Sequence, residues 1–189
     1  MAHTRRGKEI PWLWFFTDPV RTPDPLAVVR RLPRGAVVVY RAFGASDADQ
    51  MAKTLRRITH ARGLYLLIGA DDALAAHVRA DGVHLPERLA HRALALKRRR
   101  PGWLVSVAAH GGAAIHEARG ADAVVVSAVF PSRSLSAGQP LGPLRFAQLV
   151  RTSAAPVIAL GGVNKKNAPR LISTGAAGLA AIEGLLRLD

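Results

Sequence analysis

Residues 156–163 read Pro-Val-Ile-Ala-Leu-Gly-Gly-Val and contain a pattern that recurs along the chain. The apolar run Val157–Leu160 predicts a short buried strand. Gly161 and Gly162 follow it directly and predict a turn in which the backbone comes close to another group. We expect a helix to begin soon afterwards, at Asn164. A buried strand that passes through a glycine turn into a helix is the repeating unit of α/β proteins.

The same unit recurs along the chain, because short apolar runs alternate with helical patterns at nearly even spacing. Val37–Val39 and Val124–Val126 contain no polar residue, which is typical of parallel strands covered by helices on both faces. We predict eight strands, at Leu13–Phe16, Ala36–Arg41, Leu64–Ile68, Gly82–Leu85, Leu104–Ala108, Ala123–Ala128, Val157–Leu160 and Gly178–Ala181.

Two of the intervening helices have clear sequence signals. Ser46 is a good N-cap, with Asp49 three residues later in the capping-box position. Another helix is predicted over Leu89–Arg99, where a Pro-Gly pair ends it. An eighth helix must be short, because only Leu185–Asp189 remain for it.

Eight strands with alternating helices predict an α/β fold, a compact (β/α)₈ TIM barrel with a short last helix. The length of 189 residues is small for a barrel, and we expect one domain over residues 1–189 with a single core. An open flavodoxin-like sheet is the structural alternative, but that fold usually has fewer strands.

Composition narrows the class of function. The chain has no cysteine, which excludes disulfides and thiolate metal sites. Its net charge of +14 would attract anions such as phosphorylated metabolites. The basic residues are spread over separate elements without a nucleic-acid-binding signature, so we do not expect nucleic acid as a partner. We expect a cytoplasmic protein with no membrane association, because the apolar run at residues 12–16 is too short for a signal peptide or a membrane span.

Functional residues of a barrel lie at the carboxyl ends of its strands. Arg41 ends a buried strand, so its guanidinium must face a polar cavity, an anion or a barrel carboxylate. His110 ends the fifth predicted strand, where it could transfer protons near neutral pH or be satisfied by a neighbouring loop. His84 has the same two interpretations, with the structural one favoured.

A phosphate site is predicted at Gly161-Gly162, because barrels often bind phosphate between the loops after strands seven and eight. Gly178 would give a second close approach; the alternative is that the glycine pair only makes a turn. The irregular stretch Phe130–Gly142 contains Ser132 and Ser134, whose hydroxyls could bind a ligand or belong to a disordered loop.

No metal ligand is assigned from the sequence. Asp71 and Asp72 more naturally cap the helix that follows them, and Asp18 gives no clear ligand spacing. Mg²⁺ in proteins usually takes one or two carboxylates together with substrate phosphates.

Several motifs occur together over most of the chain: Ala80–Leu85, Val105–His110, Gly120–Asp122, Phe130–Ser132, Pro140–Gly142, Pro156–Val163 and Gly175–Ile182. This combination resembles the thiamine phosphate synthase/TenI family. The resemblance implies a TIM barrel in thiamine biosynthesis that acts on small phosphorylated ligands. Such a barrel is either a transferase, joining a pyrimidine diphosphate to a thiazole phosphate with Mg²⁺, or a TenI-like tautomerase that aromatises a thiazole carboxylate.

The resemblance also implies roles for individual residues. Arg41 matches the arginine that contacts the pyrimidine diphosphate, and His110 matches the histidine that TenI-like tautomerases use for proton transfer. Hydroxyl residues beside the thiazole match Ser132 and Ser134. The phosphate-binding backbone matches Gly161, Gly162, Ala181 and Ile182.

Departures from the family pattern fall on charged positions. The Asn-Asp pair expected after the third strand reads Gly69-Ala70, and the second metal-binding aspartate falls on Leu89. The lysine after the loop hydroxyls reads Leu135, and a phosphate-side serine reads Glu183. A diphosphate leaving group needs metal and cations to neutralise its developing charge, so these changes disfavour its displacement.

We therefore expect a diverged member of this family that binds a thiazole phosphate or a similar ligand. Proton transfer through His110 is more plausible than diphosphate displacement, because it needs no metal. An active synthase with a rearranged Mg²⁺ site and a non-catalytic binding or regulatory barrel are the alternatives. Whether the chain is an enzyme, and whether it forms homo-oligomers, is left open at this point.

Overall fold

Eight parallel strands close into a barrel in the computed structural model of this chain, which describes residues 9–133 and 138–183. The strands are β1 Leu13–Phe16, β2 Val37–Tyr40, β3 Tyr65–Gly69, β4 Gly82–Leu85, β5 Leu104–Ala109, β6 Ala123–Val126, β7 Val157–Ala159 and β8 Gly178–Ala181. Each strand pairs with the next one in sequence, and β8 pairs with β1 to close the ring, with Phe15 opposite Ala181. The predicted barrel is confirmed, with strand boundaries that differ by at most two residues.

Helices surround the barrel between the strands. They are α1 Pro25–Arg31, α2 Ala48–Arg62, α3 Asp72–His77, α4 Ala93–Arg99, α5 Gly112–Glu117 and α6 Gly142–Thr152, with 3₁₀ helices at Glu87–Arg92 and Ala168–Thr174. The helix predicted over Leu89–Arg99 is therefore a 3₁₀ turn that continues into α4. The short last helix predicted at Leu185–Asp189 lies outside the described residues.

Two predicted helix starts are wrong. The backbone N–H of Ala48 donates to the carbonyl of Ala45, so Ser46 lies within a turn and α2 begins at Ala48, without a side-chain cap. Asn164 begins no helix: its side-chain oxygen accepts the N–H of Lys166 at 2.9 Å and makes a turn instead. A polar side chain that can cap a helix can close a turn equally well, which explains the error at Asn164.

Side chains of the strands alternate between two apolar layers. Trp14 and Phe16 of β1 point into the barrel, where they pack with Val37, Val39, Leu67, Leu104, Val125 and Ile158. Leu13 and Phe15 of the same strand point outwards and pack in the layer beneath the helices. Because both faces are buried, these strands consist mainly of apolar residues, with His84 of β4 and Ser106 of β5 as buried polar exceptions.

The amino ends of the strands are held by two carboxylates in matching positions. Asp81, just before β4, accepts the N–H of Leu66 at 2.8 Å and pairs with Arg56 of α2 at 2.8 Å. Asp122, just before β6, accepts the N–H of Val105 at 2.9 Å and pairs with Lys97 of α4 at 2.8 Å. Each carboxylate thus joins the preceding strand to a helix at this end of the barrel.

Candidate active site

A cavity of about 1190 Å³ opens at the carboxyl ends of the strands. Seven of the eight residues singled out in the sequence line it: Arg41, His110, Ser132, Gly161, Gly162, Ala181 and Ile182. The eighth, Ser134, lies outside the described residues. The fold therefore brings together side chains from the loops after β2, β5, β6, β7 and β8, which local sequence cannot place relative to one another.

Arg41 is held by the loop after β1. Its Nε donates to the carbonyl oxygen of Thr17 at 2.8 Å, and its Nη2 lies 3.4 Å from the Asp18 carboxylate. Burial lowers the pKa of Arg41 to about 10, and the charge of Asp18 works in the opposite direction. The guanidinium remains cationic at neutral pH. The ion pair with a barrel carboxylate, one of the predicted alternatives, is thus present together with a cavity-facing position.

Gly69, at the end of β3, leaves room for that arginine. A Cβ at Gly69 would lie 3.3 Å from Cγ of Arg41 and 3.2 Å from the carbonyl oxygen of Tyr40. Contacts this close require a neighbour to shift, so the stem of Arg41 fits best beside a glycine.

His110 forms a pair with Glu87, which follows β4. The Glu87 Oε2 atom lies 2.6 Å from Nδ1 of His110 and accepts the His110 backbone N–H at 2.8 Å. A carboxylate at Nδ1 favours the tautomer that carries its proton there and leaves the Nε2 lone pair free to act as a base. Among the described residues, Nε2 of His110 has no hydrogen-bond partner.

His84 lies at the floor of the cavity, on β4. Its Nδ1 is 3.0 Å from the Ser106 hydroxyl, and its ring meets Phe16 edge-on with 5.0 Å between the centroids. Burial, reinforced by the charge of Arg41, lowers the pKa of His84 to about 3, so the ring is neutral. The favoured structural interpretation of His84 agrees with this packing, although the residue also lines the cavity.

Gly161 and Gly162 shape the turn after β7. Their φ angles are +92° and +66°, and a Cβ at Gly162 would lie only 2.3 Å from the carbonyl oxygen of Pro131. The glycines therefore let this turn pack against the loop after β6. Asn167 donates from its side chain to the Gly162 carbonyl at 2.8 Å and orients the turn. The predicted turn is present, and both glycines face the cavity.

The predicted role of Gly178 is wrong. This residue begins β8 at the amino end of the barrel, away from the cavity, and a Cβ there would lie 2.5 Å from the carbonyl oxygen of Trp12. The glycine permits close contact between neighbouring chain segments, because the backbone of the segment leading into β1 occupies the space of a side chain.

The sequence did not reveal a series of paired charged side chains beside the cavity, of which Arg21, Glu183 and Arg133 line it. Asp18 pairs with Arg21 at 2.7 Å, Arg21 lies 4.0 Å from Glu183, and Glu183 contacts Arg133. Burial raises the pKa of the Asp18 carboxyl, but its hydrogen bonds and charge pairing with Arg21 outweigh that effect, so the pKa lies below its usual value. The members come from three loops far apart in sequence, and no local pattern marks them.

Few carboxylate oxygens beside the cavity are available to a Mg²⁺ ion among the described residues. Asp71 uses Oδ1 to cap α3 by accepting the Leu74 N–H at 2.8 Å, as predicted, and Asp18 faces two arginines. Over the described ranges, no three carboxylate or histidine side chains cluster as metal ligands do.

The charge of the cavity favours anions, because within the described residues six cations and two carboxylates line it. The cations are Arg21, Arg41, Arg88, Arg133, Lys165 and Lys166, and the carboxylates are Asp71 and Glu183.

Comparison with known proteins assigns the family. The family model described as thiamine monophosphate synthase matches residues 13–185, which is nearly the whole barrel. The chain belongs to this family. Its recognition from the sequence motifs is confirmed.

Individual members of the family are similar over most of their length. The thiamine-phosphate synthase of an Azoarcus species is 38% identical over 187 residues, which cover 93% of this chain and 89% of that protein. The thiamine-phosphate synthase of Alcanivorax borkumensis is 32% identical over 182 residues, covering 92% and 84%. The solved structure of thiamine phosphate pyrophosphorylase from Pyrococcus furiosus has a TM-score of 0.76 at 27% identity, and the match covers 91% of this chain and 85% of that one.

The helices of the barrel are short, and the longest described one, α2, has 15 residues. From residue 9 to 133 and from 138 to 183, none is long and apolar enough to cross a membrane.

Proposed function

We propose that this chain binds a thiazole phosphate, or a similar small monophosphate, in the cavity and catalyses proton transfer on it through His110. The observation that carries the proposal is the convergence of the Arg41, His110 and Gly161-Gly162 positions on one cationic cavity. The surplus of positive charge in the cavity attracts a phosphate group, and glycine turns allow the phosphate oxygens to approach backbone N–H groups closely.

The chemistry available to His110 follows from its contact with Glu87. The Glu87 carboxylate holds Nδ1 at 2.6 Å and stabilises the imidazolium that forms when Nε2 accepts a proton. In a tautomerisation, one proton leaves a ligand carbon and one proton returns at another position. No group is lost and no metal is required, which suits a cavity whose carboxylates are engaged as caps and ion pairs.

The test uses the non-aromatic thiazole carboxylate phosphate as substrate and follows aromatisation by ultraviolet absorbance. His110→Ala should lower the rate by about 10²–10⁴-fold, the range typical of a general acid–base residue, with ligand affinity nearly unchanged. His116→Ala is the matched control, because His116 lies on α5 and contacts Arg119 outside the cavity. Unchanged turnover in His110→Ala would remove the proposed role.

The second candidate function is thiamine phosphate synthesis, which the names of the curated relatives favour. It would need the missing metal-site charges to be replaced by other groups. Magnesium-dependent formation of thiamine phosphate from the pyrimidine diphosphate and the thiazole phosphate would establish it. Ligand binding without turnover of either substrate set would instead identify a non-catalytic binding barrel.

A further inference from the structure

Glu183 places a negative charge beside the proposed phosphate site. It follows Ala181 and Ile182 directly and lines the same cavity. Its side chain is 30% exposed, so solvent screens the carboxylate only in part. A carboxylate at this point would repel a phosphate group unless cations compensate for it.

Two arginines from other loops supply that compensation. Arg133, from the loop after β6, contacts the Glu183 carboxylate, and Nε of Arg21, from the loop after β1, lies 4.0 Å from it. Arg21 is only 18% exposed and is also bound to Asp18. Charges thus alternate from Arg41 through Asp18, Arg21 and Glu183 to Arg133, and all of these residues except Asp18 line the cavity.

We propose that Glu183 is an internal counter-anion that occupies Arg21 and Arg133 and so determines how tightly the cavity holds a phosphate group. This inference rests on the proposed function, because it assumes a phosphate beside Ala181 and Ile182. An incoming phosphate competes with Glu183 for the same two guanidiniums and is repelled by its charge. Without that charge, Arg133 can turn its donors to the ligand and Nε of Arg21 is no longer attracted by Glu183, while Nη2 of Arg21 stays bound to Asp18. Guanidinium groups bind phosphate strongly.

Glu183 therefore sets the affinity of the cavity for phosphate, at a position where the family pattern has a serine. A neutral residue at this position would not compete with the ligand for the arginines, whereas Glu183 lowers the affinity for phosphate. The chain therefore binds phosphorylated ligands more weakly than its cationic wall alone would allow.

The test is calorimetric titration of the intact protein with inorganic phosphate at low ionic strength. Glu183→Gln keeps the shape of the side chain and removes its charge, and it should bind phosphate about tenfold more tightly than the unmodified protein. Glu183→Asp keeps the charge and should gain far less. Glu117→Gln makes the same change in net charge at the exposed end of α5, outside the cavity, and should have almost no effect.

The outcomes separate the inference from the proposed function. If the unmodified protein binds phosphate and Glu183→Gln binds no more tightly than Glu117→Gln, the inference is overturned while the proposed function stands. If only Glu183→Gln binds, the inference is supported and phosphate binding by the native chain is refuted. If neither binds, both ideas fail together.

Discussion

The two ends of the barrel use charge in opposite ways. At the amino end, Asp81 and Asp122 each accept a strand N–H and pair with a helix cation, so both carboxylates have partners within the protein. At the carboxyl end, cations outnumber carboxylates along the wall of a large cavity. Balanced charge holds strands and helices together at one end, whereas surplus positive charge is available to an anionic ligand at the other.

The glycines at the two ends of the barrel also have different roles. Gly82 and Gly178 begin strands at the amino end, where a Cβ would meet the carbonyl oxygens of Leu104 and Trp12. Gly161 and Gly162 lie at the carboxyl end, where they form a turn that packs against the loop after β6 and faces the cavity. Substitutions at the amino end should therefore affect stability alone, and those at the carboxyl end should also affect binding.

The largest effect is expected at Asp122. Asp122→Asn should lower the free energy of unfolding by about 3–5 kcal/mol, because the Lys97 ammonium loses its opposite charge in a buried site and keeps only the carbonyl oxygens of Pro101 and Trp103 as partners. Asp81→Asn should cost less, about 1–2 kcal/mol, because the Asp81–Arg56 pair is more exposed. Urea unfolding measures both, and phosphate affinity should stay unchanged. Equal losses of stability in the two variants would show that burial of the ion pair does not determine the size of the loss.

The glycine comparison gives the next largest effect. Gly82→Ala should cost about 3 kcal/mol in urea unfolding, because its Cβ would lie 1.9 Å from the Leu104 carbonyl oxygen, so two strands must shift. Gly162→Ala should cost about 1–3 kcal/mol through its clash with Pro131 and its positive φ.

Calorimetry then separates the two glycine variants. Only Gly162→Ala should weaken phosphate binding, because its turn faces the cavity. The reverse pattern, with binding lost in Gly82→Ala and retained in Gly162→Ala, would contradict the division between the two ends.

The barrel could be predicted from the sequence because the apolar pattern of each strand is local. Runs such as Val37–Val39 must be buried on both faces, and their spacing indicates eight strands. The ends of those strands then indicate the cavity, including Arg41 and His110. The partners of these residues were not predicted, since Glu87 is 23 residues from His110 and Glu183 is 50 residues from Arg133. Such pairs depend on loop conformation, which local patterns do not specify.

A smaller effect is expected from His84, whose burial makes stability depend on pH. Its pKa is lowered to about 3 in the fold, whereas the unfolded chain takes up a proton near the ordinary value of about 6.5. Stability is therefore fully present above about pH 6.5 and falls by about 1.4 kcal/mol per unit below it, or about 2 kcal/mol at pH 5.

Unfolding measured at pH 7 and pH 5 tests this sign. His84→Gln should lose less stability on acidification than the unmodified protein, by about 2 kcal/mol. His60→Gln, at an exposed position of α2, serves as the control and should not change the slope. Identical slopes in all three proteins would mean that the buried imidazole is not neutral.

The smallest effect concerns Asp71, a helix cap that also lines the cavity. Asp71→Ala should cost about 1 kcal/mol, and so should Asp24→Ala, because both carboxylates accept the N–H three residues later. Added Mg²⁺ should change the phosphate affinity of Asp71→Ala as little as it changes that of the unmodified protein. A magnesium effect that disappears with Asp71 would make this residue a metal ligand.

The measurement that tests the central claim most directly is a thermal-shift titration of the intact protein with the thiazole phosphate carboxylate in the presence of EDTA. At about one hundred times the dissociation constant, binding should stabilise the fold by roughly 2.7 kcal/mol. For a chain of this size, that corresponds to a rise in Tm of about 5–10 °C. Such a rise without metal is the predicted result. No rise, or one that requires Mg²⁺, would contradict a metal-independent phosphate site at the carboxyl end of this barrel.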